Sequence, residues 1–128
     1  MPAFLTLDEV LAIHAHEIDR YGGAHGLRDR SGLESAVAMP GATFGDELLH
    51  GSLWEQGAAY LFHLTKNHPF VDGNTRTGLA CALVFLGLHG VHVRATDDEL
   101  VALLEGVAGG PLTKADIAVF LRDHAGRS

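Results

Sequence analysis

Three short patterns that start α-helices constrain this sequence more than any other feature. In each, a Ser or Thr is followed three residues later by Glu: Thr6 and Glu9, Ser31 and Glu34, Thr96 and Glu99. In such a capping box the hydroxyl accepts a hydrogen bond from the amide three residues on, and the carboxylate accepts one from the amide of the capping residue. Three marked helix starts in 128 residues predict a largely helical chain.

Apolar residues at helical spacing extend these starts into helices. The first helix carries Leu7, Val10, Leu11, Ile18 and Tyr21 at this spacing and is expected to end at Gly22-Gly23, and the second should stop before Pro40. Similar patterns predict four more helices, over residues 53–67, 76–88 and 96–108 and from Thr113 onward. The sequence therefore predicts an all-α fold, a compact bundle of about six helices.

The segment from residue 39 to residue 52 breaks the helical pattern. It contains three glycines and Pro40 and shows no sustained period, so we expect an exposed loop or hairpin here. Long loops in small domains often carry function.

Length and charge limit the classes of function. A chain of 128 residues with 47% hydrophobic composition can bury one core, so we expect one domain over residues 1–128. Its formal net charge of -7 repels the phosphate backbone of nucleic acids and makes direct nucleic-acid binding an unfavoured function. The lone Cys81 lies among apolar residues and is expected to be buried as a free thiol.

The sequence has no features of a membrane or secreted protein. The N-terminus lacks a basic region and an extended apolar core, and Asp8 and Glu9 interrupt it early. The longest uncharged stretch, residues 77–93, is shorter than the roughly 20 residues that cross a bilayer. We therefore expect a cytoplasmic protein with no membrane partner.

Residues 68–77 have the composition of a phosphate site between two helices. Gly73 permits a tight turn, and the amides that follow it would open a helix N-terminus, which favours an anion. Arg76 adds a planar cation suited to phosphate oxygens, and Asp72 could hold Mg2+. His68 supplies an imidazole, a side chain that can take a proton from an attacking hydroxyl. Phe70 is expected to point into the core and anchor the loop.

This segment resembles the signature of the Fic/Doc family, H-x-F-x-(D/E)-G-N-x-R, at His68, Phe70, Asp72, Gly73, Asn74 and Arg76. Residues 23–40 also resemble the region that precedes the loop in the death-on-curing (Doc) toxin branch. With the short length and the helical pattern, the resemblance covers essentially the whole chain.

The resemblance implies an ATP-dependent protein transferase with Mg2+ as a cofactor. His68 would be the catalytic base and Asp72 the metal ligand, and the phosphates would be bound by Gly73, Asn74, Thr75, Arg76 and Thr77. Doc toxins transfer the terminal phosphate of ATP to a threonine of elongation factor Tu, and the C-terminal segment of a partner antitoxin neutralises them. By the same resemblance residues 39–52 correspond to a flap that docks the target, with Thr43, Phe44 and His50 as candidate contacts.

Two positions depart from the family patterns and leave other functions open. AMP-transferring relatives typically have glycine where Thr75 stands and a second arginine where Leu79 stands, whereas Doc relatives usually have lysine at the first of these positions. A Doc-like kinase is therefore our first hypothesis and transfer of AMP to a Ser, Thr or Tyr hydroxyl the second. The third is a binding module that has lost catalysis.

The same residues also have purely structural interpretations. His68 could cap the preceding helix, and Asp72 and Asn74 could form an Asx-turn and an N-cap even in an inactive protein. The run Arg28-Asp29-Arg30 is more typical of a solvated or loop-pinning cluster than of a substrate clamp.

Overall fold

A computed structural model describes residues 3–127, and the described chain is an all-α bundle, as predicted. Its six helices are α1 (Leu7–Tyr21), α2 (Arg30–Ala38), α3 (Leu53–Asn67), α4 (Asn74–Leu88), α5 (Asp97–Gly109) and α6 (Lys114–Asp123). Four short strands accompany them: β1 (Thr43–Phe44), β2 (Glu47–Leu48), β3 (Val91–Val93) and β4 (Ala125–Arg127). None of the described helices combines the length and the apolar composition needed to cross a bilayer.

Two of the three predicted helix caps are confirmed, and one is wrong. Thr6 and Thr96 each form a complete capping box with the Glu three residues on. Ser31 does not cap α2, because Asp29 takes that position and its carboxylate accepts a hydrogen bond from Gly32 N at 2.9 Å. An aspartate is as good a cap as a serine, and Asp29 comes earlier in the chain, so the helix begins before Ser31.

Within residues 39–52, where the sequence predicted an exposed loop or hairpin, the structure has a short hairpin. Strands β1 and β2 pair antiparallel, with Thr43 opposite Leu48 and Phe44 opposite Glu47. The second pair, β3 with β4, has no counterpart in the sequence prediction, since three-residue strands are too short to show a period. It ties the segment after α4 to the end of the described chain.

The core is built around α3 and α4, which form an antiparallel pair joined by the six-residue loop 68–73. Helices α2, α5 and α6 contact α3, and α1 packs on α4. The two central helices approach closely at Gly78, where an added Cβ would lie 3.0 Å from Leu61 Cα. The position of the loop between them therefore depends on a small residue at this crossing.

A polar contact links α3 to α6 at the edge of this core. Lys114 Nζ donates a hydrogen bond to His63 Nε2 at 2.9 Å, so the imidazole accepts in its neutral form. Burial, and then the positive charge of Lys114, lower the pKa of His63 from 6.5 to about 4. The contact therefore requires an uncharged His63.

We expect Gly78→Ala to destabilise the fold by about 1 to 3 kcal/mol, because the new methyl group overpacks against the backbone of Leu61. Gly87→Ala is the matched control in the same helix, since a Cβ there meets nothing within 4 Å. It should be neutral or stabilise by up to about 1 kcal/mol through helix propensity. Urea unfolding followed by circular dichroism measures both, and equal stability of the two variants would contradict the close approach.

We also expect the free energy of unfolding to fall as the pH is lowered from 6.5 to about 4. In this window the unfolded chain binds a proton that the folded His63 does not, so acid favours unfolding. In His63→Gln, which accepts from Lys114 but does not titrate, the slope should be smaller. His92→Gln, at an exposed position on β3, is the control. Urea titrations at several pH values give the slopes, and a His63→Gln slope equal to that of wild type would refute this role.

Candidate active site

His68 lies directly after α3, in a left-handed backbone conformation. Its φ of 50° and ψ of 50° make it the one non-glycine residue of the described chain with a positive φ. This region disfavours side chains with a Cβ and costs on the order of 1 to 3 kcal/mol. The chain thus accepts local strain at the residue that the sequence assigned as catalytic base.

The imidazole of His68 is exposed and has one nitrogen committed to the protein. Its Nδ1 lies 3.2 Å from Thr65 O, and because a carbonyl only accepts, Nδ1 carries the proton. The lone pair of the neutral ring is then on Nε2, the nitrogen available to take a proton from another molecule. The arrangement suits a general base.

Arg28 holds the strained backbone of His68 in place. Its guanidinium donates to His68 O through Nε at 2.9 Å and also through Nη2, and the same Nη2 reaches Asn67 O at 3.4 Å. Next to it, the amides of Arg28 and Asp29 donate to Pro69 O at 2.7 and 2.9 Å. The loop-pinning interpretation of this cluster therefore holds for Arg28.

The Asn74 side chain organises the loop from inside. Its Oδ1 accepts from Phe70 N at 2.9 Å and its Nδ2 donates to Phe70 O at 3.0 Å, so the carboxamide satisfies both backbone groups of Phe70. Asn74 is 5% exposed and Phe70 is 1% exposed. Phosphate binding was predicted for Asn74, but its side-chain carboxamide is bonded to the loop, so the group it offers a ligand is its backbone N–H.

Asp72 is exposed, and its carboxylate is held by two backbone amides. Oδ1 accepts from Gly73 N at 2.9 Å and Oδ2 accepts from Ala24 N at 3.1 Å. Each oxygen keeps a free lone pair, which suits Mg2+, a cation that takes one or two carboxylates together with phosphate and water oxygens. No cluster of three or more His, Cys, Asp or Glu side chains occurs in residues 3–127. Of the predicted site, Asp72 alone offers a carboxylate for a metal.

The N-terminus of α4 is open at its first turn. Gly73 is the N-cap with φ 74°, a conformation natural to glycine, and no side chain caps the helix. The amides of Asn74, Thr75 and Arg76 have no partner within the helix and can receive an anion. Thr77 does not belong to this set, because its amide donates to Gly73 O at 2.9 Å and its side chain is fully buried.

Arg76 folds back from α4 toward the end of α1. One guanidinium nitrogen, Nη2, donates to Gly22 O at 2.8 Å, and the group lies 5.6 Å from the centre of the Tyr21 ring. Nε is buried without a partner, whereas the N–H groups of Nη1 leave capacity for a phosphate. Arg76 also borders a cavity of about 440 Å³ lined largely by apolar residues of α1, α4 and α5, a volume in the range of small-ligand sites.

The other residues predicted for the site differ in their exposure to solvent and in what they contact. Thr43 and Phe44 are exposed on the hairpin, and Phe44 shows 85% of its surface. His50 is only 5% exposed, so the hairpin does not present it to a target. The Thr75 hydroxyl lies 3.3 Å from the Thr65 hydroxyl, which donates to it, and so faces α3.

Comparison with known proteins gives a family and two similar relatives for this chain. The model of the Fic/DOC family matches residues 4–86, a range that contains α1 to most of α4 and the loop between α3 and α4. The chain is 36% identical over 118 residues to "Protein kinase doc" of Escherichia phage P1, covering 92% of each chain. It is 42% identical over 78 residues to "Toxin Doc" of Mycolicibacterium smegmatis, covering 61% of this chain and 60% of that protein.

We expect Asn74→Asp to destabilise the nucleotide-free protein by about 2 kcal/mol, because a carboxylate cannot donate to Phe70 O and leaves that carbonyl without its partner. Thr75→Ala is the control on the same turn and should cost less than about 1 kcal/mol, since it removes one long hydroxyl contact. Unfolding in urea without nucleotide separates the two. If Asn74→Asp were as stable as Thr75→Ala, Asn74 would not organise the loop.

Proposed function

The chain belongs to the Fic/DOC family, and on this premise we propose that it is a Doc-like toxin that transfers the terminal phosphate of ATP to a hydroxyl of a protein substrate. The observation that carries the proposal is the free Nε2 of His68, on the same short loop as the open N-terminus of α4. A proton acceptor beside an anion site is the arrangement that phosphoryl transfer needs.

In the proposed reaction, His68 acts as the general base. The substrate hydroxyl gives its proton to Nε2 while its oxygen attacks the γ-phosphorus. The bond from the γ-phosphorus to the bridging oxygen breaks, and ADP leaves. The Nδ1 contact with Thr65 O keeps the ring in the tautomer that accepts, and also stabilises the imidazolium that forms. The strained backbone at His68 sets the direction of the ring.

The phosphates would lie against the first turn of α4. The amides of Asn74, Thr75 and Arg76 and the helix dipole offset their charge, and the free N–H groups of Arg76 add a cation. The cavity beside Arg76 offers apolar surface to the nucleoside. Asp72 would hold Mg2+, which when bound neutralises phosphate charge.

Two features favour phosphate transfer over AMP transfer. Leu79 is apolar and 8% exposed on α4, at the position where AMP-transferring relatives carry a second arginine for the triphosphate. The relative that matches over 92% of its length is named a protein kinase. Transfer of AMP remains the alternative reaction at the same site.

The substrate and the partner follow from the same family premise. We propose a threonine of elongation factor Tu as the target hydroxyl, docked along the exposed hairpin at Thr43 and Phe44. We propose a cognate antitoxin as the inhibitory partner, acting through its C-terminal segment. Phosphorylation of this factor would inhibit translation.

The test is transfer of label from γ-labelled and, separately, α-labelled ATP to elongation factor Tu in the presence of Mg2+. We expect label from γ-labelled ATP only. His68→Ala should reduce the rate by about 100- to 10,000-fold, the usual contribution of a general base. His92→Ala, which removes an exposed histidine on β3, is the matched control and should react like wild type.

Each other outcome has a defined meaning. Transfer of the α label would replace the kinase with an AMP-transferase. Full activity of His68→Ala would remove His68 from the mechanism. No transfer together with no binding of ATP by calorimetry would leave a protein-binding module as the function.

A further inference from the structure

His14 occupies a position on α1 that places it beneath the loop 68–73. It lies on the buried face of α1 with Val10 and Ile18, at intervals of four residues, and is 4% exposed. A histidine on such a face is usually a core residue with a satisfied hydrogen bond. The contacts of this one go specifically to the loop.

The ring of His14 stacks on Phe70. The two ring centroids are 3.7 Å apart and the planes differ by 3°. Phe70 is the loop residue whose backbone is bonded to Asn74. His14 thus supports the buried anchor of the loop from the side of α1.

The tip of the same ring bonds the backbone of Asp72. His14 Nε2 lies 2.9 Å from Asp72 O, and since that oxygen only accepts, Nε2 carries the proton and donates. Asp72 O precedes the N-cap and has no place in the hydrogen-bond ladder of α4. With Ala24 N and Gly73 N on its carboxylate, Asp72 is held at three points.

We propose that His14 is a positioning residue of the active site, which orients the Asp72 carboxylate and the first turn of α4 by donating to the Asp72 carbonyl. The inference rests on the proposed function only in that Asp72 binds the metal. Histidine is suited to this place because it combines a flat ring for Phe70 with a donor at its tip. Phenylalanine has only the ring, and glutamine has only the donor.

Two variants separate these roles. His14→Phe keeps the stack and loses the donor, whereas His14→Gln keeps a donor at similar reach and loses the ring. His16→Gln, at an exposed position on the same helix, is the matched control. If His14 acts through its hydrogen bond, the loop should be better protected from hydrogen exchange, and MgATP more tightly bound, in His14→Gln than in His14→Phe. If His14 acts only by packing, the order of the two variants should reverse.

The first readout is amide hydrogen exchange in the nucleotide-free protein, which does not depend on activity. We expect His14→Phe to speed exchange at Val71 and Gly73 roughly tenfold, the effect of losing one partly buried hydrogen bond, relative to Leu61 in the core of α3. In His14→Gln exchange should stay within about threefold of wild type. Equal exchange in the two variants, or faster exchange only in His14→Gln, would overturn the proposal. If His14→Phe failed to fold while His14→Gln folded, the donor would again be the feature that matters more, as proposed.

The second readout is the binding of MgATP by calorimetry and the steady-state rates of transfer. His14→Phe should raise Kd and KM for MgATP about five- to tenfold with kcat changed much less, because His68 is untouched. His14→Gln and His16→Gln should resemble wild type, and an equal fall of kcat in both His14 variants would assign His14 to the core alone. Absence of MgATP binding by wild type would refute the proposed function, whereas the exchange comparison would still decide the role of His14.

Discussion

The pairing of the Asn74 carboxamide with the backbone of Phe70 is the interaction on which the loop 68–73 depends. The chain must leave α3, bury Phe70 and enter α4 within six residues, and a buried backbone amide and carbonyl cannot go without partners. One side chain satisfies both groups. Because Asn74 is used in this way, it cannot cap its own helix, and Gly73 has no side chain to do so. The first turn of α4 is left open to an anion as a direct consequence.

The other constraint on the loop is the strained backbone of His68. A histidine in the left-handed conformation persists only where its surroundings hold it. Here Arg28 donates to the His68 carbonyl, and the His68 ring donates to Thr65 O. On the opposite side α1 supports the loop, since Ile18 Cδ1 lies 3.0 Å from the place of a Cβ on Gly73. Protein contacts thus occupy most polar groups of the loop. Nε2 of His68 and the first-turn amides of α4, which the proposed phosphoryl transfer would use, are among the groups left without a partner.

The sequence alone determined the helical architecture. Capping boxes act within three residues and amphipathic periods within two turns, so the helix starts at Thr6 and Thr96 and the whole of α3 could be predicted from local patterns. The hairpin followed from the glycines around it. Ser31 shows the limit of this reasoning, because two residues competed to cap one helix and the sequence does not rank them.

Only the tertiary structure decided what each residue of the loop does. Phosphate binding by Asn74 stays a prediction for its backbone N–H, because its side chain bonds the backbone of Phe70. Thr77, predicted beside it, is buried, and its amide donates to Gly73 O. His14 carries no signal in the sequence that relates it to the site, and the sequence did not show which loop Arg28 pins, since their partners lie 58 and 40 residues away. Local patterns report interactions between neighbours in the chain. The bonds from His14 to Asp72 and from Arg28 to His68 join segments that meet only when α1 and the residues before α2 pack beside the loop 68–73, and the sequence does not state that packing.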